Sequence, residues 1–530
     1  MKMTKSSWLL AASFALSFGA SAQTPVKYIG KKGTLPEAEL QRWSHLDLVK
    51  DSVPGMSVDK AYSEFLKGKK GKTVIVGVVD SGVDIEHDDL KNVIWTNPKE
   101  IAGNGIDDDK NGYVDDIHGW NFLGDAVNES LEMTRIVKKG DDGSQTYKDA
   151  KAELDKKLKD AKAQKPTVDM LDGAYNTVKE YLKKDNFTVA DLKEIQTTDP
   201  KLNKSLRIML SMAAQAGPDF VSQVTEYHDY IYGQLDYNLN TEFDGRKVVG
   251  DNPDDINDTS YGNNIVYGPD KKEALHGTHV AGIIAQQRGN GIGGDGIADN
   301  VQIMAVRAVP NGDEYDKDIA LAIRYAVDNG AKVINGSFGK SFSPHSQWVY
   351  DAIKYAEKKD VLIVHAAGND AEDIDVEPNF PNDSKDGKKE FADNVLTIGA
   401  LDVHYGDKLV ADFSNYGKEN VDVFAPGVQI YATVPNNGFK YEQGTSMASP
   451  NAAGVAALIR SYYPNLTAKQ VKHIIMDSGT VIDEKVNVGG NESDKKPFSA
   501  LSKSGHIVNA YNALMMAEKM SKGKTKKLNG

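Results

Sequence analysis

Apolar positions change their spacing along this chain, and the changes divide it into parts. The run TVIVGVVD, ending at Asp80, is almost continuously apolar and β-branched. That is the pattern of a parallel strand covered on both faces. VQIMAVRAV, AKVINGSF, DVLIVHAAGN and NVLTIGAL repeat it further along, while residues 318–329 and 345–359 carry apolar residues at helical spacing. Strand, helix, strand repetition predicts an α/β domain in which crossover helices cover a largely parallel sheet. Ligands of such a sheet sit beyond the carboxyl ends of its strands.

Between about residues 128 and 247 the strand pattern stops. KDAKAELDKKLKDAKAQK, MLDGAYNTVKEYLKKD and FVSQVTEYHDYIYGQLDYNL are charged, helical and rich in Lys and Tyr. The reading is a helical insertion within the sheet domain, because the sheet pattern resumes after it. A separate helical domain and a disordered charged loop are the alternatives, and recurrent Leu, Ile, Met and Tyr weigh against disorder. Residues 23–70 read as a short leader or N-terminal arm with one helix near residues 58–66. TAKQVKHIIMDSG and VNAYNALMMAEKM predict helices near the other end, before a polar tail at residues 521–530.

Residues 1–22 have the layout of an export signal: Lys2 and Lys5, then WLLAASFALSFGA, then ASA ending at Ala22. The apolar run is short for a bilayer span, so cleavage after Ala22 leaves no transmembrane anchor in the mature chain. The expected location is periplasmic or extracellular. The 530 residues are 40% hydrophobic, enough for a large core, and a net charge of -13 argues against nucleic-acid partners. With no cysteine in the chain, an exported protein needs some stiffening device other than disulfides.

Three polar groups stand at the ends of elements. Asp80 closes the first strand before Ser81 and Gly82, where a carboxylate is partly buried yet faces a cleft, or merely caps a turn. His276 opens HGTHVAGIIAQQ, with His279 deeper in the run as a packing residue. The spacing H-x-x-H lacks the acid and the i,i+4 geometry of a zinc helix. Ser446 lies in GTSMASPNAAG, where a helix N-terminus favours developing negative charge. Pro450 is compatible with a first turn, so the helix is expected to start near Ser449 or Pro450, with Ser449 as cap and Ser446 free. A serine becomes nucleophilic when an imidazole takes its proton and a carboxylate orients that imidazole. Asn369, past the strand DVLIVHAAGN, can add an amide N–H to the Ser446 backbone N–H as an oxyanion donor, or can cap a turn.

VVDSGVD, HGTHVAG, AAGN and GTSMASP, in that order, resemble the subtilisin-like serine peptidases. The order Asp, His, Ser differs from that of chymotrypsin-like enzymes and α/β-hydrolases. The resemblance implies a three-layer fold and a secreted or periplasmic endopeptidase that forms an acyl-enzyme. In it Asp80 orients, His276 is base and then acid, Ser446 is the nucleophile and Asn369 completes the oxyanion hole. It also implies that Ser337, Phe338 and Gly339 of VINGSFG pair with an extended polypeptide by strand addition, and that Ala366, Ala367 and Gly368 line the primary pocket. These small residues suggest room there for a large apolar side chain. The resemblance spans roughly residues 70 to 520, with the peptidase domain taken as residues 71–520; its departures are the long insertion between Asp80 and His276 and a short upstream segment. An esterase and a catalytically silent binding protein are the rival readings.

Catalysis of this kind needs no cofactor, but NGIDDDKNGYVDDIHGWNF suggests a structural one. Asp107, Asp109, Asn111, Gly112 and Asp115 fall at the spacing of an oxygen-rich calcium loop, while His118 takes the place of its closing acid. Asp116 is the candidate substitute for that oxygen, and a solvated acidic turn is the alternative. By the family resemblance, Asp89 is a second calcium ligand, helped by carbonyls near residues 290–294.

Overall fold

The first long apolar run forms β1 (Val74–Asp80), with β3 (Val301–Arg307) on one side and β4 (Val333–Gly336) on the other. The computed structural model describes residues 28–528, so the expected export signal lies outside the described residues. Around β1 the sheet continues with β2 (Gly119–Asn121), β5 (Leu362–Ala366), β6 (Val395–Leu401), β7 (Val423–Pro426), β10 (Thr480–Val481) and β13 (His506–Ile507). Its nine strands run in the order β10-β13-β7-β6-β5-β4-β1-β3-β2, and every pairing is parallel except that of β10 with β13. Two hairpins lie outside it, β8 (Ile430–Val434) with β9 (Gly438–Glu442), and β11 (Lys485–Val488) with β12 (Asn491–Pro497).

Both faces of the sheet are covered, which is why its strands read as unbroken apolar runs. On one face Val76, Val78, Ile303 and Val364 meet the helices Leu275–Ala285, Thr445–Tyr462 and Ala468–Ser478. On the other, Val79, Met304, Val306 and Ile334 meet the helices Asp316–Asp328 and Ser346–Lys358. This is the three-layer α/β arrangement expected. The helix Ala468–Ser478 starts at a capping box, in which Thr467 and Gln470 satisfy each other's backbone N–H groups.

The upstream segment is part of the core. Trp43, Met56 and Val58 are buried in the same apolar cluster as the sheet, and Trp43 Nε1 donates to the Val428 carbonyl at 3.0 Å. The helix expected near residues 58–66 is a short α-turn, Val58–Lys60, followed by the wider turn Ala61–Phe65. The last helix, Ala510–Leu528, continues well into the stretch expected to be a polar tail.

Between β2 and the helix Leu275–Ala285, the chain leaves the sheet domain for the helices Glu132–Lys139, Gln145–Leu182, Val189–Glu194, Pro200–Ala216 and Phe220–Gly233. Tyr175, Val178, Leu192, Met209 and Phe220 form an apolar core of their own there. A second small cluster, with Met133, Leu154 and Leu239, takes in Phe342 from the sheet domain and so ties the insertion down just past β4.

Candidate active site

Asp80 and His276 are 196 residues apart in sequence, yet His276 Nδ1 lies 2.7 Å from Asp80 Oδ1. Asp80 sits at the carboxyl end of β1 and is 1% exposed; the same oxygen accepts the Ser81 N–H at 2.7 Å. Two glycines make the approach possible. A Cβ on Gly277 would stand 2.1 Å from the Gly82 carbonyl, and Gly82 itself has φ +113, a conformation that side chains disfavour. The helix start carrying His276 therefore lies directly against the exit of β1. Burial pulls the His276 pKa down, but the Asp80 carboxylate more than offsets it, and the net shift is upward. With Nδ1 as the donor to Asp80, Nε2 is the nitrogen free to take a proton.

His279 behaves differently. It is fully buried, its Nε2 donates to the Lys440 carbonyl at 3.1 Å, and burial drives its pKa down to about 4. It is a neutral, structural histidine, consistent with the packing role expected from its position.

Ser446 lies in the first turn of the helix Thr445–Tyr462, which starts four residues earlier than the expected Ser449. Ser449 is no cap: it is buried and donates through Oγ to Asn335 Oδ1 at 2.8 Å. Pro450 is inside the helix because its missing N–H is compensated. The carbonyl that such an N–H would serve belongs to Ser446, and Ser337 Oγ donates to it at 2.8 Å. Asn335 Nδ2 donates in turn to Ser337 Oγ at 2.9 Å, so one chain of hydrogen bonds runs from Ser449 through β4 to Ser446. The Ser446 hydroxyl donates to the Ser337 carbonyl at 3.3 Å.

Asn369 follows β5 and is held by its oxygen. Oδ1 accepts from Thr445 N at 2.8 Å and from Thr445 Oγ1 at 2.9 Å, which leaves Nδ2 as the outward end beside the start of the Ser446 helix. Ser337, Phe338 and Gly339 come immediately after β4, with Gly339 exposed. Ala366 ends the neighbouring β5, and Ala367 and Gly368 follow it. The strand ends thus bring all these expected residues to one edge of the sheet.

The insertion reaches this edge from two sides. Glu226 pairs with Lys440 at 3.0 Å, and Lys440 pairs with Glu442 at 2.9 Å, the carboxylate that adds to the upward pull on His276. On the first long insertion helix, burial raises the Glu153 pKa, and Asp313 and Asp370 push the same way against Lys157. Those two aspartates belong to the loops after β3 and β5.

The acidic loop is only partly as its spacing suggested. Glu100, Asp107 and Asp109 each bring a carboxylate oxygen within 4.8 Å of the others. Glu100, seven residues before Asp107, lies outside the loop spacing and was invisible to it. Asn111 Nδ2 donates to Asp116, which is fully buried, also accepts from Tyr325 at 2.6 Å and has its pKa raised by burial to about 6. Asp115 turns its oxygens to the N–H groups of Gly103 and Gly105, at 2.9 and 2.8 Å. His118 donates from Nδ1 to the Trp95 carbonyl at 2.8 Å. Elsewhere, Asp89 is fully buried; Oδ1 accepts from Gln287 N and Asn290 Nδ2, while Oδ2 has no partner.

Several known proteases are similar to parts of this chain. The chain is 46% identical over 187 residues to a thermophilic serine proteinase of Bacillus sp. (strain AK1), covering 35% of this chain and 42% of that one. It is 39% identical over 218 residues to the cell wall-associated protease of Bacillus subtilis (strain 168), covering 41% and 22%. Against subtilisin DY of Bacillus licheniformis it is 36% identical over 215 residues, covering 40% and 73%. The matched stretches thus span less than half the length of the first two relatives. The subtilase family model matches residues 71–500. This chain belongs to the subtilase family.

Proposed function

We propose that the protein is an exported serine endopeptidase that hydrolyses peptide bonds of extended polypeptides through an acyl-enzyme. The observation that carries the reading is the 2.7 Å contact between Asp80 and His276 Nδ1, which leaves Nε2 as the base at the sheet edge where Ser446 stands. In the proposed reaction Ser446 Oγ gives up its contact with Ser337 and attacks the substrate carbonyl carbon while its proton passes to His276 Nε2. The C–N bond then breaks, the proton goes to the leaving amine, and Ser446 carries an ester. Water, deprotonated by the same Nε2, attacks that ester; the bond from the acyl carbon to Ser446 Oγ breaks, the proton returns from Nε2 to Oγ, and the acid is released. Asp80 holds the imidazole in one orientation and stabilises its charged form. Asn369 Nδ2 and the Ser446 backbone N–H are the donors for the oxyanion, and losing one such donor costs about 3–4 kcal/mol of transition-state stabilisation.

Substrate recognition is assigned to Ser337, Phe338 and Gly339 as a backbone edge and to Ala366, Ala367 and Gly368 as a pocket wall. Among the described residues no helix is long and apolar enough to cross a membrane. The export reading rests on the residue pattern ending at Ala22. Labelling with a fluorophosphonate, followed by turnover of casein and of a short ester, tests the proposal. Ester turnover without cleavage of casein sinks the peptidase reading in favour of an esterase, and absence of labelling favours a silent binding protein.

Calcium fits the oxygen-rich sites as a structural ion. Glu100 Oε2 and Asp89 Oδ2 are buried and unpartnered, the condition that a hard cation would relieve. At the first site Glu100, Asp107 and Asp109 would hold it, with Asn111 and Asp116 close by; at the second, Asp89 would. When bound, calcium supplies stability by mass action and takes no part in the serine chemistry.

A further inference from the structure

The helical insertion stands over the sheet edge as well as beside it. In the strand order β5-β4-β1-β3, the loops after β5 and β3 flank residues 337–339. Asp370 belongs to the first loop and Asp313 to the second, and the charges of both reach Glu153 on the helix Gln145–Leu182. A residue within reach of both stands above the segment between them. The root of the insertion is fixed to that same segment. Lys340, next after Gly339, is buried, with Nζ 2.8 Å from Glu132 and 3.0 Å from Asp316. Leu154, next to Glu153, shares an apolar cluster with Phe342. Gln164 lies about 16 Å further along the same helix. There Tyr227 Oη donates to Gln164 Oε1 at 3.0 Å, and Glu226, next to Tyr227, pairs with Lys440 at 3.0 Å. Lys440 lies on β9, which leads into the turn before Ser446. The helix pair therefore runs over the ground between the segment after β4 and the approach to Ser446. His276 is wet and walled in at once: 39% of its side chain is open to solvent, yet burial is the foremost influence on its pKa. Asn369 is exposed.

Building on the endopeptidase reading, we infer that this helix pair is a roof that sets the substrate class: the enzyme cleaves single extended chains, such as unfolded polypeptides and free tails, and excludes loops still attached to a folded body. A strand added beside residues 337–339 takes only about 5 Å of width. A loop brings its parent fold with it, and the roof occupies the space that fold needs. The two ends of the roof differ in strength. At its root the pair of Lys340 and Glu132 is buried, and Phe342 packs into the insertion. At its far end the pair of Glu226 and Lys440 is half-exposed, the kind of contact that contributes little and opens readily. Glu226 is thus the latch residue, and its loss widens the range of substrates.

The test presents one cleavable sequence to the full chain in two settings, as a free peptide and as a short surface loop of a folded carrier protein. The quantity read is the ratio of kcat/KM for the peptide to that for the loop. Glu226→Lys sets two lysines against each other and should lower this ratio at least about threefold, with peptide turnover unchanged. Adding Lys440→Glu restores opposite charges and should return the wild-type ratio. The chain has no cysteine, so Glu226→Cys with Lys440→Cys can be joined by a short bismaleimide, which fastens the roof. This form should keep peptide turnover while the ratio rises at least about tenfold. Fluorophosphonate labelling reports a formed site in every variant. A ratio that stays the same in all forms overturns the roof and leaves the peptidase reading standing. Loss of peptide turnover on cross-linking does the same, since the helix pair then blocks single chains too. A wild type that labels but cleaves neither substrate overturns the peptidase reading and the roof with it.

Discussion

The Ser337 hydroxyl donates to the Ser446 carbonyl at 2.8 Å, in the place of the helix hydrogen bond that Pro450 cannot make. A strand-end side chain thus completes the helix that presents the proposed nucleophile. Ser337→Ala, made in a Ser446→Ala background to prevent self-digestion, should lower stability by about 1 kcal/mol because it leaves that carbonyl without a donor. Adding Pro450→Ala supplies an N–H four residues on and should recover part of the loss. Denaturant unfolding of the series checks this, and additive effects of the two substitutions would contradict the linkage.

Asp80 raises the His276 pKa, so the imidazole stays protonated to higher pH than an ordinary histidine. The acid limb of kcat/KM should therefore fall above 6.5. Asp80→Asn should lower kcat/KM by about 10⁴-fold and move the limb down. The stability linkage has the same origin: the folded pKa is above the unfolded one, so this pair stabilises fully below about pH 6.5 and its contribution fades as pH rises through the folded value. A pH–rate profile for the two proteins reads the limb, and denaturant unfolding across the same pH range reads the linkage.

His279 is the opposite case. Burial lowers its pKa from 6.5 to about 4, so the unfolded chain binds a proton between those values that the folded chain refuses. Stability should fall as pH drops through that window, by roughly 3 kcal/mol from this residue. His279→Gln in the Ser446→Ala background should flatten that part of the stability profile. An unchanged slope between pH 6.5 and 4 would falsify the assignment.

Much of this was legible in the sequence because the physics is local. Unbroken β-branched runs such as TVIVGVVD can be buried on both faces, and they became the parallel strands of the sheet. Asp80, His276 and Ser446 could be singled out because each stands where an element begins or ends. Long-range compensation was not legible. The start of the Ser446 helix was misplaced because Pro450 normally marks a first turn, and only the fold shows Ser337 covering the carbonyl it leaves open. Glu100 escaped because its loop folds back onto Asp107 and Asp109 from outside the spaced motif.

Calcium should raise the melting temperature, and a chelator should lower it. An ion at 100 times its Kd adds about 2.7 kcal/mol. Glu100→Gln and Asp89→Asn should each remove part of the calcium response, and the double substitution most of it, because the two sites lie on separate loops. Thermal unfolding of Ser446→Ala proteins across a calcium titration measures this. Identical unfolding with and without calcium, and no bound ion after dialysis, would reject both sites.

In the proposed peptidase reaction everything turns on Ser446 as the nucleophile. The most direct measurement incubates wild-type and Ser446→Ala protein with a denatured protein mixture and identifies every new chain end by mass spectrometry. New ends are expected with the wild type and none above background with Ser446→Ala. Equal cleavage by the two proteins, at the same bonds, would contradict it.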